Sequence, residues 1–111
     1  DSKSFRKEFR EDLRSKGFPS KVQLSPDHRI TITTMKENIG ICLQLGNIAR
    51  APYDLLKLSY FYKHDNSFQG IIICPIDPGG NRAYFERVIS ELKDLFKDVI
   101  QLPIRVIGIG Y

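Results

Sequence analysis

The run TITTMKENIGICLQLGNIARAPYDLLKL, which starts at Thr31, leaves this chain few ways to fold. Two β-type runs, Arg29 to Met35 and Ile39 to Leu45, stand on either side of the turn Lys36-Glu37-Asn38. With Glu37-Asn38 as a two-residue turn, Lys36 pairs with Ile39, Thr33 faces Cys42 and Thr31 faces Gln44. Side chains alternate along a strand, so Thr31, Thr33, Cys42 and Gln44 are expected on one face. Gly46 to Arg50 then leads into a helix that begins near Ala51, with Pro52 suited to its first turn.

Before the hairpin, Phe5, Phe9 and Leu13 recur every four residues and predict a helix from about Ser4 to Lys16. Arg6, Lys7, Arg10 and Arg14 cover much of its remaining surface, diluted by Glu8, Glu11 and Asp12. Gly17 stands where a helix C-terminus favours positive φ. Val22 to Leu24 reads as a short strand, closed by the turn Ser25-Pro26-Asp27. After the hairpin, the second helix carries Asp54, Leu55, Leu56, Leu58, Phe61 and Tyr62. Gln69 to Ile76 is almost continuously apolar, as expected of a strand covered on both faces. Pro78-Gly79-Gly80-Asn81 reads as a turn, because it lacks the Lys-Ser/Thr of a P-loop. A third helix is expected from about Arg82 to Phe96, with Phe85, Val88, Ile89, Leu92 and Phe96 as its apolar stripe. Ile104 to Ile109 closes the chain as another buried strand. The order α-β-β-β-α-β-α-β predicts an α/β fold: a single mixed sheet flanked by helices, with a meander opening into parallel strands.

The 111 residues fit one domain, taken as 1–111, and are too few for two. With 41% hydrophobic and 27% charged residues, the balance is globular and argues against disorder. Seventeen Lys and Arg against thirteen Asp and Glu give +4, which permits a nucleic-acid partner and equally serves solubility. No apolar run approaches the roughly 20 residues of a membrane span, so no membrane association is expected. The charged start DSKSFRKEFRED is unlike a signal peptide. Cys42 and Cys74 each lie within a β-run, which predicts buried free thiols and an intracellular setting, cytoplasmic or nuclear. Neither has zinc-site spacing, and His28 and His64 read as surface residues without a ligand partner.

The element order and the block IGICLQLGN resemble the PD-(D/E)XK nuclease superfamily, and within it the type II restriction endonucleases related to BglII and BamHI. Such enzymes often read V-G-[IV]-E-[IV]-Q-[LF]-G-[NK], followed by a helix with a D-hh-K pattern, here Asp54-Leu55-Leu56-Lys57. The likeness extends from an L-x-x-x-G-[FW] helix ending, here Leu13 to Phe18, to the closing PIRVIGI. It implies the restriction-endonuclease-like fold. It also implies a catalytic Asp nine residues before the Glu of E-x-Q, positions held here by Thr33, Cys42 and Gln44. Gln44 alone keeps the pattern.

The missing acids matter because Mg²⁺, the metal such nucleases use, is a hard cation that prefers carboxylate and other oxygen ligands. A threonine hydroxyl is a neutral, weak ligand, and a cysteine thiol is soft and mostly protonated near pH 7. Three alternative acids enter consideration: Asp27, Glu11 and Asp54. Asp27 is about 20 Å from Thr33 along an extended strand and needs a sharp bend to reach it. Glu37 falls at the wrong end of the hairpin, while Glu8 shares the first helix with Glu11. Candidate phosphate or DNA contacts are Asn47, Arg50, Arg6, Arg10, Arg14 and Lys57. Judged without the resemblance, Thr31 and Thr33 are ordinary strand residues, Cys42 a core residue and Gln44 a solvated one.

The resulting expectation is a catalytically degenerate nuclease-like domain, serving as a DNA-binding or protein-assembly module in a larger complex or dimer. No cofactor is expected. The alternative is an active endonuclease that uses Mg²⁺ with displaced acids. A purely structural interaction domain is the third reading.

Overall fold

The computed structural model describes residues 2–76 and 84–110. Helix α1 spans Ser2–Ser15, and the chain then enters strands β1 (Val22–Ser25), β2 (His28–Ile32), β3 (Thr34–Lys36) and β4 (Ile39–Leu43). A 3₁₀ turn, Ile48–Arg50, leads into α2 (Ala51–His64), followed by β5 (Gln69–Pro75). Helix α3 (Phe85–Ile89) continues as a π-helical stretch, Ser90–Leu95, before β6 (Ile104–Ile109). The turn expected at Pro78–Asn81 and the expected helix start at Arg82 lie outside the described residues.

Helix α1 ends as Gly17 predicts. Gly17 has φ 86°, its N–H donates to the Arg14 carbonyl, and the Phe18 N–H reaches back to the Leu13 carbonyl. This paired arrangement is a Schellman cap, and it satisfies carbonyls that the helix end leaves open.

The four-stranded sheet has the order β3-β4-β5-β6. β3 and β4 are antiparallel, with Lys36 opposite Ile39 and Thr34 opposite Ile41. β4, β5 and β6 are parallel, linked through α2 and α3. The expected mixed sheet flanked by helices is therefore present. One feature differs: the expected single strand Arg29–Met35 divides at Thr33, and β2 pairs with β1 as a separate two-stranded sheet. The cause is a change of partner. The Thr33 carbonyl accepts the Lys21 N–H at 3.0 Å, and its hydroxyl accepts the Leu43 N–H at 2.9 Å. The chain hands over from one ladder to the next at that residue, which adds a strand to the predicted order.

Strand alternation builds two cores. On one face Cys42, Ile72, Cys74 and Val106 pack with Leu58 of α2 and with Val88 and Leu92 of the α3 segment. On the other face Ile41, Leu43 and Ile73 meet Phe5 and Phe9 of α1. Each aliphatic or aromatic side chain buried this way contributes about 1.5–3 kcal/mol. Gly40 has no room for a side chain: a Cβ there would lie 2.5 Å from the Phe68 ring, which itself stacks on Phe61. Cys42 and Cys74 are free and buried, as expected. Among the described residues no helix is long and apolar enough to cross a membrane.

Candidate functional site

Where β4 ends and α2 begins, a cavity of about 380 Å³ opens between α1, the hairpin and α2. Thr31, Thr33, Cys42 and Gln44 all line it, but not as one sheet face: Thr31 pairs with Gln23 in the separate β1–β2 sheet, and Ile32 and Leu43 of the opposite alternation line the cavity too. Arg6 and Arg10, one helical turn apart and half-buried, form the α1 side. Arg50, Tyr53, Asp54 and Lys57 form the α2 side, and Lys21 stands at the break between β2 and β3.

Gln44 is a strut rather than a solvated side chain. Its amide nitrogen donates to Asp54 Oδ2 at 2.7 Å, and its carbonyl oxygen accepts the Gly46 N–H at 2.8 Å. Gln44 and Asp54 are each only 6% exposed. Burial pushes the Asp54 carboxyl above the usual carboxylate range. The Gln44 hydrogen bond and the positive charges of Lys57, Arg50 and Arg6 oppose that shift without cancelling it. Lys57 is also held in place. Its Nζ donates to the Thr31 carbonyl at 2.9 Å, lies 3.8 Å from Asp54 Oδ1, and sits 4.6 Å from the Tyr53 ring centroid.

On the hairpin, Cys42 is 3% exposed. Burial, reinforced by the Asp54 charge, pushes its thiol far up, and Lys57 and a Thr33 backbone hydrogen bond only moderate this. The thiol stays protonated at neutral pH and offers no anionic ligand.

Of the three alternative acids, only Asp54 reaches the cavity. Asp27 stays in the β1–β2 turn, where its N–H meets Ser25 Oγ at 3.2 Å. The bend at Thr33 does not bring it in. Glu11 lines a separate depression on the outer side of α1, together with Arg14. Asn47 caps the 3₁₀ turn, its Oδ1 accepting the Ala49 N–H at 2.8 Å, so that oxygen is committed to the backbone. Arg6, Arg10, Arg50 and Lys57 therefore remain as cationic wall residues. Lys21 and Tyr53 were not singled out by the sequence. Lys21 has φ 44°, a conformation costly for a residue with a side chain, and no local signal announces it.

The cavity thus lies at the end of a β-hairpin, beside the helix that follows it, in a mixed sheet flanked by helices. A sequence model of the restriction endonuclease BglII/BglIII family matches residues 1–109. The chain belongs to that family. The match takes in every element that walls the cavity, so the cavity is part of the BglII/BglIII-type domain itself. No curated protein and no solved structure matches the chain.

The Mg²⁺ implied by the resemblance can be tested against the donors present. Thr33 Oγ1 already accepts a backbone N–H, and both ends of the Gln44 amide are engaged. Among the described lining residues Asp54 supplies the one carboxylate, buried and shared with Gln44 and Lys57. Among the described residues no three His, Cys, Asp or Glu side chains gather into a group that could hold a metal ion. One carboxylate surrounded by cations does not fit a hard divalent cation. The same surroundings fit an oxyanion.

Proposed function

We propose that this BglII/BglIII-type domain is a degenerate nuclease that holds nucleic-acid phosphate without cutting it. The observation that carries the reading is the composition of the cavity wall. Thr33 and Cys42 stand where the resemblance puts metal-binding acids, while Arg6, Arg10, Lys21, Arg50 and Lys57 surround the same space. Guanidinium groups suit phosphate oxygens through paired, charge-assisted hydrogen bonds. Without an anionic ligand pair there is nothing to hold Mg²⁺ or to activate a water against the phosphate.

DNA is the partner the family suggests, and binding through Arg and Lys releases condensed counterions. Affinity for duplex DNA, followed by fluorescence anisotropy, should therefore fall steeply and linearly on a log–log plot against salt. Replacing Arg6 or Arg50 by Gln should each lower the slope by about one. A slope near zero, or one unchanged by both substitutions, would contradict the reading. On this reading the domain is a binding module, acting within a larger complex or dimer.

A further inference from the structure

Helix α1 carries five Lys and Arg against three Asp and Glu, an ordinary sum. Their arrangement is less ordinary. With about 3.6 residues per turn, Lys3, Lys7 and Arg14 fall within roughly 40° of arc and form one line along the helix. Phe5 and Phe9 occupy the buried side, while Glu8 and Asp12 are turned well away from the line and Glu11 stands at its margin. Lys3, Lys7 and Arg14 are exposed, and their side chains make no ion pair or hydrogen bond among the described residues. Like charges one turn apart, such as Lys3 and Lys7, weaken a helix, so stability gains nothing from gathering them.

The line is continuous with the cavity. Arg6 and Arg10 line both the cavity and the depression outside α1 that Lys3, Lys7 and Arg14 also line. Both are half-buried, and neither is needed as a contact; they join the two positive surfaces into one. From Lys3 to Arg14 the helix rises about 16 Å at roughly 1.5 Å per residue. Each strand of a DNA duplex carries a phosphate about every 3.4 Å of its axis, so about five consecutive phosphates fit beside that length. A straight, rigid row of cations matches the regular phosphate row of a duplex better than it matches a flexible single strand.

We infer that α1 docks duplex DNA along its outer face, with Lys3, Lys7 and Arg14 set against successive phosphates of the strand that leaves the cavity. This rests on the phosphate-holding function proposed above and adds a second surface, which fixes the path of the DNA over the domain.

The test is the salt dependence of binding to a labelled duplex, followed by fluorescence anisotropy. The triple variant Lys3→Gln, Lys7→Gln, Arg14→Gln should lower the log–log slope by about two to three, with a thermal melt showing that it is folded. Lys7→Gln alone should lower it by about one, which keeps the test available if the triple variant does not fold. The charge-preserving variant Lys3→Arg, Lys7→Arg, Arg14→Lys should keep the wild-type slope. So should Glu8→Gln with Asp12→Asn, which changes net charge away from the line.

An unchanged slope in the triple variant, while Arg50→Gln still lowers it, overturns this inference and leaves phosphate binding in the cavity standing. A slope that the charge-preserving variant lowers equally, or that the Glu8 and Asp12 changes shift equally, also overturns it, because contact by that line of charges is then not the cause. Tighter binding of a single strand than of the duplex does the same. A wild-type slope near zero overturns both this inference and the function on which it rests.

Discussion

On the hairpin side of the cavity, Thr33 and Cys42 present no charge, and their polar atoms are spent on neighbouring backbone or kept protonated by burial. On the helical sides, Arg6, Arg10 and Arg50 line the same space. The contrast teaches that holding a metal and holding a phosphate place opposite demands on a cavity wall. The first needs anionic oxygens from the hairpin. The second needs cations from the helices. In this chain the hairpin wall carries Thr33 and Cys42, and the helical walls carry Arg6, Arg10 and Arg50.

The contrast can be attacked from several directions. The largest effect should come from outside the cavity. Phe68→Ala removes the ring that fills the space over Gly40 and should cost about 3–5 kcal/mol in urea unfolding. That loss would show how much of the fold's stability lies in the core away from the cavity.

Changing the hairpin wall back should come next. Thr33→Asp with Cys42→Glu places three carboxylates near one another with Asp54, and like charges at one site repel. The double variant should melt lower than wild type in metal-free buffer. Mn²⁺ at about 100 times its Kd should then return about 3 kcal/mol, while wild type shows no such shift. A metal response in wild type would erase the contrast between the walls.

Gln44→Leu should cost about 2 kcal/mol at pH 7, because both the Asp54 carboxylate and the Gly46 N–H lose their partner. The smallest effect is expected for Asp54→Asn. Burial holds the Asp54 carboxyl above its unfolded value, so the folded protein keeps that proton more tightly than the unfolded chain. Native stability therefore falls as pH rises from about 4, the unfolded aspartate value, through the raised folded value. The Asn variant should lack this decline and gain under about 1 kcal/mol at pH 7, with no gain at pH 3. Removing the acid should also tighten phosphate binding, since one more cation is released toward the ligand.

The sequence made some of this legible and hid the rest for identifiable reasons. The hairpin register followed from the Lys36–Ile39 turn and strand alternation, both local, and Lys36 does pair with Ile39. The apolar spacing of Phe5, Phe9 and Leu13 placed α1, and it sets Arg6 and Arg10 beside the buried stripe. The break at Thr33 was not legible. It depends on Lys21 arriving from before β1 to claim the Thr33 carbonyl, a tertiary event with no trace in the residues 29–35. The Gln44–Asp54 pair was hidden likewise, since it joins a strand end to a helix face ten residues on. The family pattern marked both residues yet left their partnership unstated. The π-helical turn at Ser90–Leu95 keeps Val88 and Leu92 buried, so the apolar stripe reads the same with or without it.

The most direct test of the central claim is one plasmid gel. Supercoiled DNA is incubated with the protein in Mg²⁺, in Mn²⁺ and with a chelator. The predicted result is intact supercoiled plasmid in every lane, retarded in a way that added salt reverses. Nicked or linear product that needs the metal, disappears with chelator and survives repeated purification would contradict the claim and return Asp54 to candidacy as a catalytic acid.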